Sequence, residues 1–387
     1  MPPLDNLLVL DFSRVLAGPL STMLLADFGA TVVKVERPGT GDDTRAWGPP
    51  YAPDGTATYF LSVNRNKHSV VADLQDEADL DAVRALARRA DVVVENFRPG
   101  VMARLGLDHA ALAAENPRLI TCSISAFGTG EGATMPGYDL LVQAVGGLMS
   151  ITGPADGEPQ KVGVALVDVV AGLFATVGIL TALRHRDATG EGQHVEVDLL
   201  SALLAALVNQ ASAATAGGVV ATRMGNAHPS IAPYELLRAD GGELVLAVGN
   251  DRQFAALCDV LDLPGLATDP DFATNAARVA NRDRLRALLE ERLARRTPGE
   301  WVPDLLAARV PAGEVHDIAG ALELATRLGL EPIVELPGAD GAAVPLVRNP
   351  IRLSRTPARY ASAPPPLGPP IGQAGDVTSA GATGDGP

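Results

Sequence analysis

Through the first 125 residues, short runs of aliphatic and β-branched residues alternate with stretches of helical period, the pattern of parallel strands covered by helices. LLVLDF (residues 7–12), TVVKVE (31–36), HSVVADL (68–74), DVVVEN (91–96) and LITCSISA (119–126) read as strands. Their nearly unbroken apolar character implies a sheet covered on both faces. Between the first two, Gly18-Pro19 opens and Gly29 closes the apolar helix LSTMLLADF, proline at the start and glycine at the end. DEADLDAVRALARRA (76–90) and residues 109–115 supply further helices. Beyond Phe127 come a glycine-rich loop (GTGEGATMPG), a helix over 140–150, a long apolar helix over 169–186, and QHVEVDLLSALLAALVNQ running from strand into helix.

After a loop over 217–233, YELLRADGGELVLAV reads as a hairpin turning at Asp240-Gly241-Gly242, followed by helices over 252–262 and 282–296. The expected fold is α/β: a large parallel-sheet, Rossmann-like domain over residues 1–224 and a smaller α/β domain over 225–315. The strands IVEL and AVPLV then return the chain to the large domain within 316–360. Residues 361–387, rich in Ala, Gly, Pro, Ser and Thr without periodicity, are expected to form a disordered or draped tail.

A chain of 387 residues exceeds one hydrophobic core, and 47% hydrophobic against 20% charged residues leaves no case for global disorder. The formal net charge of −15 disfavours nucleic acid and anionic lipid as partners. Cys122 and Cys258 stand far apart without a CxxC, so buried thiols in a reducing, cytoplasmic setting are expected. MPPLDNLLVLDF lacks the pattern of a secretory signal, and the charge-free run 140–152 is too short and too rich in glycine to span a bilayer.

The first strand-to-helix turn reads SRVLAGP, without the GxGxxG of a dinucleotide site; Gly128, Gly130 and Ala133 spell GxGxxA, but Met135-Pro136-Gly137 breaks the helix that must follow. The six histidines show no metal-ligand spacing, and no GxSxG elbow is present. No metal site is expected. Asp168 differs: in VGVALVDVVAGLFATVGIL it is the lone charge. Its plain reading is an N-cap for the following helix. Its functional reading is a nucleophile kept ionised by the same helix start.

Five ordered blocks resemble one family: LDFSRVLAGPLSTMLLADFGATVVKVERPGTGDDTR, VNRNKHSVVADL, VENFRPGVMARLGL, GYDLLVQAVGGLMSITG and VDVVAGLFATVGILTALRHRDATGEGQHVEVDLL. AVGNDRQFAALCDVL is similar to its small domain. The family is that of the class III CoA-transferases, formyl-CoA and carnitine CoA-transferase among them, which also includes α-methylacyl-CoA racemase. The resemblance implies an interlocked homodimer that binds no permanent cofactor and takes coenzyme A and acyl-CoA as substrate. It places the catalytic nucleophile at Asp168 and an active-site tyrosine at Tyr138, and it assigns Arg37, Asn96, Phe97 and Arg104 to the coenzyme.

It further implies transfer of coenzyme A from an acyl-CoA, succinyl-CoA by family habit, to a small carboxylic acid through an aspartyl mixed anhydride. Leu16 stands where formyl- and oxalyl-transferring relatives carry glutamine, which disfavours oxalate and formate. Pro136-Gly137 replaces a basic residue, and the family's lid falls on residues 225–234 with a single glycine. Racemisation, the alternative, uses a histidine in a GHD segment and a glutamate after AVG; here stand Gly137-Tyr138-Asp139 and Asn250-Asp251.

Overall fold

The computed structural model describes residues 1–339 and 341–373. The chain divides into two compact units. The first comprises Met1–Leu148, Val162–Gly218 and the described residues from Glu331 on; the second comprises Met149–Lys161 and Val219–Leu330. The second unit therefore takes in residues 149–161 and 219–224, which the sequence pattern assigns to the large domain, and 316–330, which it assigns to the return segment. Backbone and side-chain bonds explain the first: Gly225 N–H donates to Gly153 O (3.0 Å) and Arg223 Nε to Pro154 O (3.3 Å). The helix Ile318–Arg327 follows directly on Ala312–Glu314, a strand of the second unit's sheet.

In the first unit six strands form where the aliphatic runs lie: β1 (Leu8–Asp11), β2 (Thr31–Glu36), β3 (Lys67–Val71), β4 (Val92–Glu95), β5 (Ile120–Ser125) and β6 (His194–Asp198). All neighbours pair in parallel, in the order β3-β2-β1-β4-β5-β6, the doubly wound arrangement. Alternation along each strand divides the core. Val9, Val32, Val92 and Val94 face helices α1 (Ala17–Asp27) and α4 (Leu166–Thr189). Leu8, Leu10, Val33 and Val93 face the other side, with Leu80 and Val83 of α2 (Glu77–Arg89).

Helix α4, of 24 residues, is long and apolar enough to cross a membrane by length and composition, and it outruns the charge-free stretch 140–152. One face enters the sheet core through Val167, Ala171, Ala175, Ile179 and Ala182. Gly172 lets it approach α1 closely: a Cβ there would lie 2.6 Å from Ala17 O. That approach sets the start of α4 beside the loop that leaves β1.

Strands Ile333–Pro337 and Ala343–Val347 form an antiparallel pair in the first unit. The chain is anchored there by the buried Asp27 carboxylate, which accepts from Arg65 Nε (2.8 Å), Asn66 Nδ2 (2.9 Å) and Asn349 Nδ2 (3.0 Å). Residues 361–373, expected within a disordered or draped tail, lie draped along the first unit. Ala361 N–H donates to Asn66 Oδ1 (2.8 Å), and Val71 N–H donates to Pro369 O (2.9 Å). These main-chain bonds hold a stretch that has no hydrophobic period of its own. Residues 374–387 lie outside the described residues. In the second unit Tyr234–Ala239 and Gly242–Ala247 form the hairpin, with Gly241 at φ +67°, beneath helices Asp251–Val260, Arg282–Leu293 and Pro298–Ala307.

Gly172→Ala is expected to destabilise by about 1–3 kcal/mol, the usual range for overpacking, because the new methyl meets a backbone oxygen. Thermal unfolding followed by circular dichroism checks it; an unchanged midpoint would show that α1 and α4 separate freely.

Candidate active site

The strand order reverses between β1 and β4, and in open α/β sheets ligands enter at such a reversal, beyond the carboxyl ends of the strands. The two loops that diverge here are tied by one side chain. Asn96 Oδ1 accepts from Arg14 N–H (2.9 Å) and its Nδ2 donates to Arg14 O (2.8 Å). Buried ammonium groups hold the rest of the loop. Lys34 Nζ donates to Ser13 O (2.8 Å) and pairs with Asp42 (2.8 Å); Lys67 Nζ donates to Pro19 O (2.8 Å) and Asn64 Oδ1 (3.0 Å) and pairs with Asp11 (3.1 Å). Burial raises the Asp11 carboxyl, but the Lys67 and Lys34 charges and bonds from Ser13 and Thr22 prevail and hold it at about 2. Burial lowers Lys67 to about 8 against the pull of Asp11. Between these anchors Val15 sits at φ +70°, which a β-branched residue avoids unless its surroundings impose it.

This loop walls a cavity of about 230 Å³ that Asp168 and Tyr138 also line. Asp168 is the third residue of α4, which begins after Ala165, so it is not the N-cap. The cap comes from α3 (Asp139–Val145): Asp139 Oδ1 accepts from Val167 N–H (2.8 Å), while Gln143 Nε2 holds its other oxygen (2.6 Å). Burial pushes the Asp168 carboxyl up to about 7, and the Asp139 charge adds to the rise. Tyr138, 66% exposed, precedes α3.

Asn96 and Phe97 line the same cavity. Arg37 and Arg104 line a second, of about 370 Å³, which shares Arg14 and Phe97 with the first and adds Lys34. The sequence-derived residues thus fall into two neighbouring groups, Asp168, Tyr138 and Asn96 in one cavity and the two arginines in the other, with Phe97 common to both. Arg37 Nε donates to Gly41 O (3.3 Å) and its Nη2 pairs with Asp43, which also takes Arg14 Nη1 at 3.3 Å. Residues 225–234 belong to the second unit, where Asn275 Nδ2 binds Ser230 O (2.8 Å) and Arg282 Nη2 binds His228 O (2.9 Å).

Two histidines scattered in sequence do meet: His109 and His194 stack with ring centroids 5.7 Å apart, both bonded to Thr121 Oγ1. Among the described residues no cluster of three metal-ligating side chains occurs. Cys122 and Cys258 are buried and free. Sequence reasoning missed Arg14, Lys34, Lys67 and the Asp139–Gln143 pair. A lysine inside TVVKVE, on a strand covered on both faces, and a D-x3-Q spacing on one helix face were the signals available.

A family model described as CoA-transferase family III matches residues 4–369. A succinate–glutarate CoA-transferase of Agrobacterium fabrum is 44% identical over 95% of this chain and 93% of its own. An acetyl-CoA:oxalate CoA-transferase of Acetobacter aceti is 43% identical over 91% and 89%, so overall similarity does not separate oxalate from other acids. A solved CaiB/BaiF family protein from Brucella suis superposes with a TM-score of 0.83 at 44% identity, covering 95% of this chain and 96% of that one. With a cavity lined by Asp168 beside an arginine-lined one on a doubly wound sheet, and with these likenesses along nearly its whole length, the chain belongs to CoA-transferase family III and is a CoA-transferase.

Proposed function

We propose that the enzyme moves coenzyme A between short dicarboxylic acids, with succinyl-CoA as donor, through covalent intermediates on Asp168. The observation that carries this reading is the placement of Asp168 in a small cavity that shares Arg14 and Phe97 with the one lined by Arg37 and Arg104. Arginine side chains suit the phosphates of the coenzyme. A carboxylate suits the chemistry because every exchange partner is itself a carboxylate.

Asp168 attacks the thioester carbonyl; the C–S bond breaks, coenzyme A leaves as thiolate, and an aspartyl–acyl anhydride forms. The thiolate then attacks the aspartyl carbonyl and expels the donor acid, leaving an aspartyl thioester. The acceptor carboxylate attacks that carbonyl and again releases thiolate, which takes the acceptor acyl group and frees Asp168. Helix α1 starts at the cavity wall, where Leu16 gives it no side-chain cap, so backbone N–H groups are available to a developing oxyanion. Tyr138 supplies a hydroxyl donor at the same wall. The racemase alternative is disfavoured: Asp251, in the position of its glutamate, is paired with the fully buried Arg278 at 2.7 Å.

A homodimer with threaded chains completes the reading. Its support is the exposed stripe Leu173, Phe174, Val177 and Leu180 on α4, an apolar face suited to burial against a second copy. Light scattering is expected to give about twice the chain mass of 39.9 kDa; a monomer at micromolar concentration overturns it.

Asp168→Ala is expected to abolish transfer while preserving the fold, since the helix cap resides on Asp139. Wild-type enzyme incubated with succinyl-CoA should yield an aspartyl hydroxamate with hydroxylamine, identified at residue 168 by mass spectrometry. Transfer near the wild-type rate in the variant sinks the mechanism. An acid held near 7 is protonated and non-nucleophilic below that pH, so kcat/KM for acyl-CoA should rise through about pH 7. Asp139→Asn retains the oxygen that caps α4 but removes the charge, and should move that rise to lower pH; a shift upward contradicts the electrostatic account.

A further inference from the structure

We propose that Arg14 is the specificity-determining residue that binds the free, non-reacting carboxylate of the acyl group and so selects dicarboxylic acids. The inference rests on the transferase reading above and deepens it. Four observations converge on this side chain.

Its main chain is fixed with unusual thoroughness. Both polar atoms of the Asn96 amide are spent on Arg14 N–H and C=O, Lys34 holds the preceding carbonyl, and Asp42 Oδ1 accepts from the N–H of the strained Val15 that follows (3.3 Å). Backbone strain kept in place by several buried anchors marks a position whose placement matters to function.

The guanidinium, by contrast, is lightly committed. Of its five N–H donors the bond found is Nη1 to Asp43 Oδ2, at a long 3.3 Å, and Asp43 is shared with Arg37. The side chain is 34% exposed and lines the Asp168 cavity. Phe97, with its ring centroid 5.5 Å from the guanidinium carbon, supports one face and leaves the edge donors available for a bidentate carboxylate.

Position also fits. Arg14 and Asp168 line one cavity, and the ion pair that Arg14 makes is with Asp43 rather than with Asp168. An acid bridging the two needs a second carboxylate removed by a few bonds from the first. The cavity volume of about 230 Å³ lies below the ~300–1,000 Å³ of drug-sized pockets, which suits a short diacid.

The test compares kcat/KM of the purified enzyme for transfer from succinyl-CoA to glutarate and from butyryl-CoA to valerate, with the Kd of free coenzyme A measured by calorimetry. In wild type the diacid pair should be preferred. In Arg14→Gln the ratio of diacid to monoacid kcat/KM should fall by about 100-fold, mainly through KM for the acids, the scale on which a charge-assisted bidentate contact discriminates. Arg14→Lys should recover part of it. Equal losses for both pairs, together with weakened coenzyme binding, would make Arg14 a phosphate ligand and overturn the proposal, as would an unchanged ratio or a wild-type preference for monoacids. Absence of transfer by wild type to every acid would instead overturn the transferase reading itself. Circular dichroism of each variant separates misfolding from lost recognition; should Arg14→Gln misfold, Arg14→Met carries the same expectation.

Discussion

Everything at the reacting end of this enzyme hangs from charge buried beneath the loop between β1 and α1. Lys34 and Lys67 are lost to water, and a buried ammonium is tolerable only where anions and carbonyls surround it. Asp11, Asp42 and the carbonyls of Ser13 and Pro19 provide that surrounding. Removing one partner would strand a charge in a dry interior, so the pairs leave the loop little freedom. The cost of burying them is recovered as a fixed main chain from Ser13 to Pro19, on which the cavity wall is built.

In the proposed reaction the nucleophile, Asp168, follows an opposite logic. Asp168 has Asp139 as a neighbour rather than a cation, and burial lifts its carboxyl to about 7. A carboxylate that is poorly solvated and unpaired is a better nucleophile than one held in a salt bridge, because no bond to a cation has to be broken before it attacks. Asp139 serves twice, capping α4 through Val167 and adding to the electrostatic pressure on Asp168. The contrast with Asp11, another buried carboxylate of the same unit, shows how neighbours decide: two lysines hold Asp11 at about 2.

The layered sheet was legible because its information is local. Six aliphatic runs with helices between them announce a doubly wound sheet, and Asp168 announces itself as a lone charge in an apolar helix. What escaped depends on partners distant in sequence. Asp139 caps a helix from another helix, a relation no capping motif in the sequence displays. The family resemblance assigns Asn96 to the coenzyme, and nothing in the sequence shows that its side-chain amide is also bonded to the Arg14 main chain. Residues 361–373 lack periodicity since main-chain atoms hold them, and main-chain bonding leaves no mark on side-chain pattern. The membership of residues 149–161 in the second unit likewise turns on bonds to Gly225 and Arg223.

That late segment has a consequence for β3. As the outermost strand of the six, β3 would present a row of unpaired N–H and C=O groups, the usual invitation to edge-to-edge association. The stretch through Pro369 and Pro370 lies alongside it, bonding Val71 while its prolines offer no N–H of their own on the outer side. A chain shortened before residue 368 would leave that flank open, and its first symptom would be loss of solubility on storage, with the cavity around Asp168 still intact.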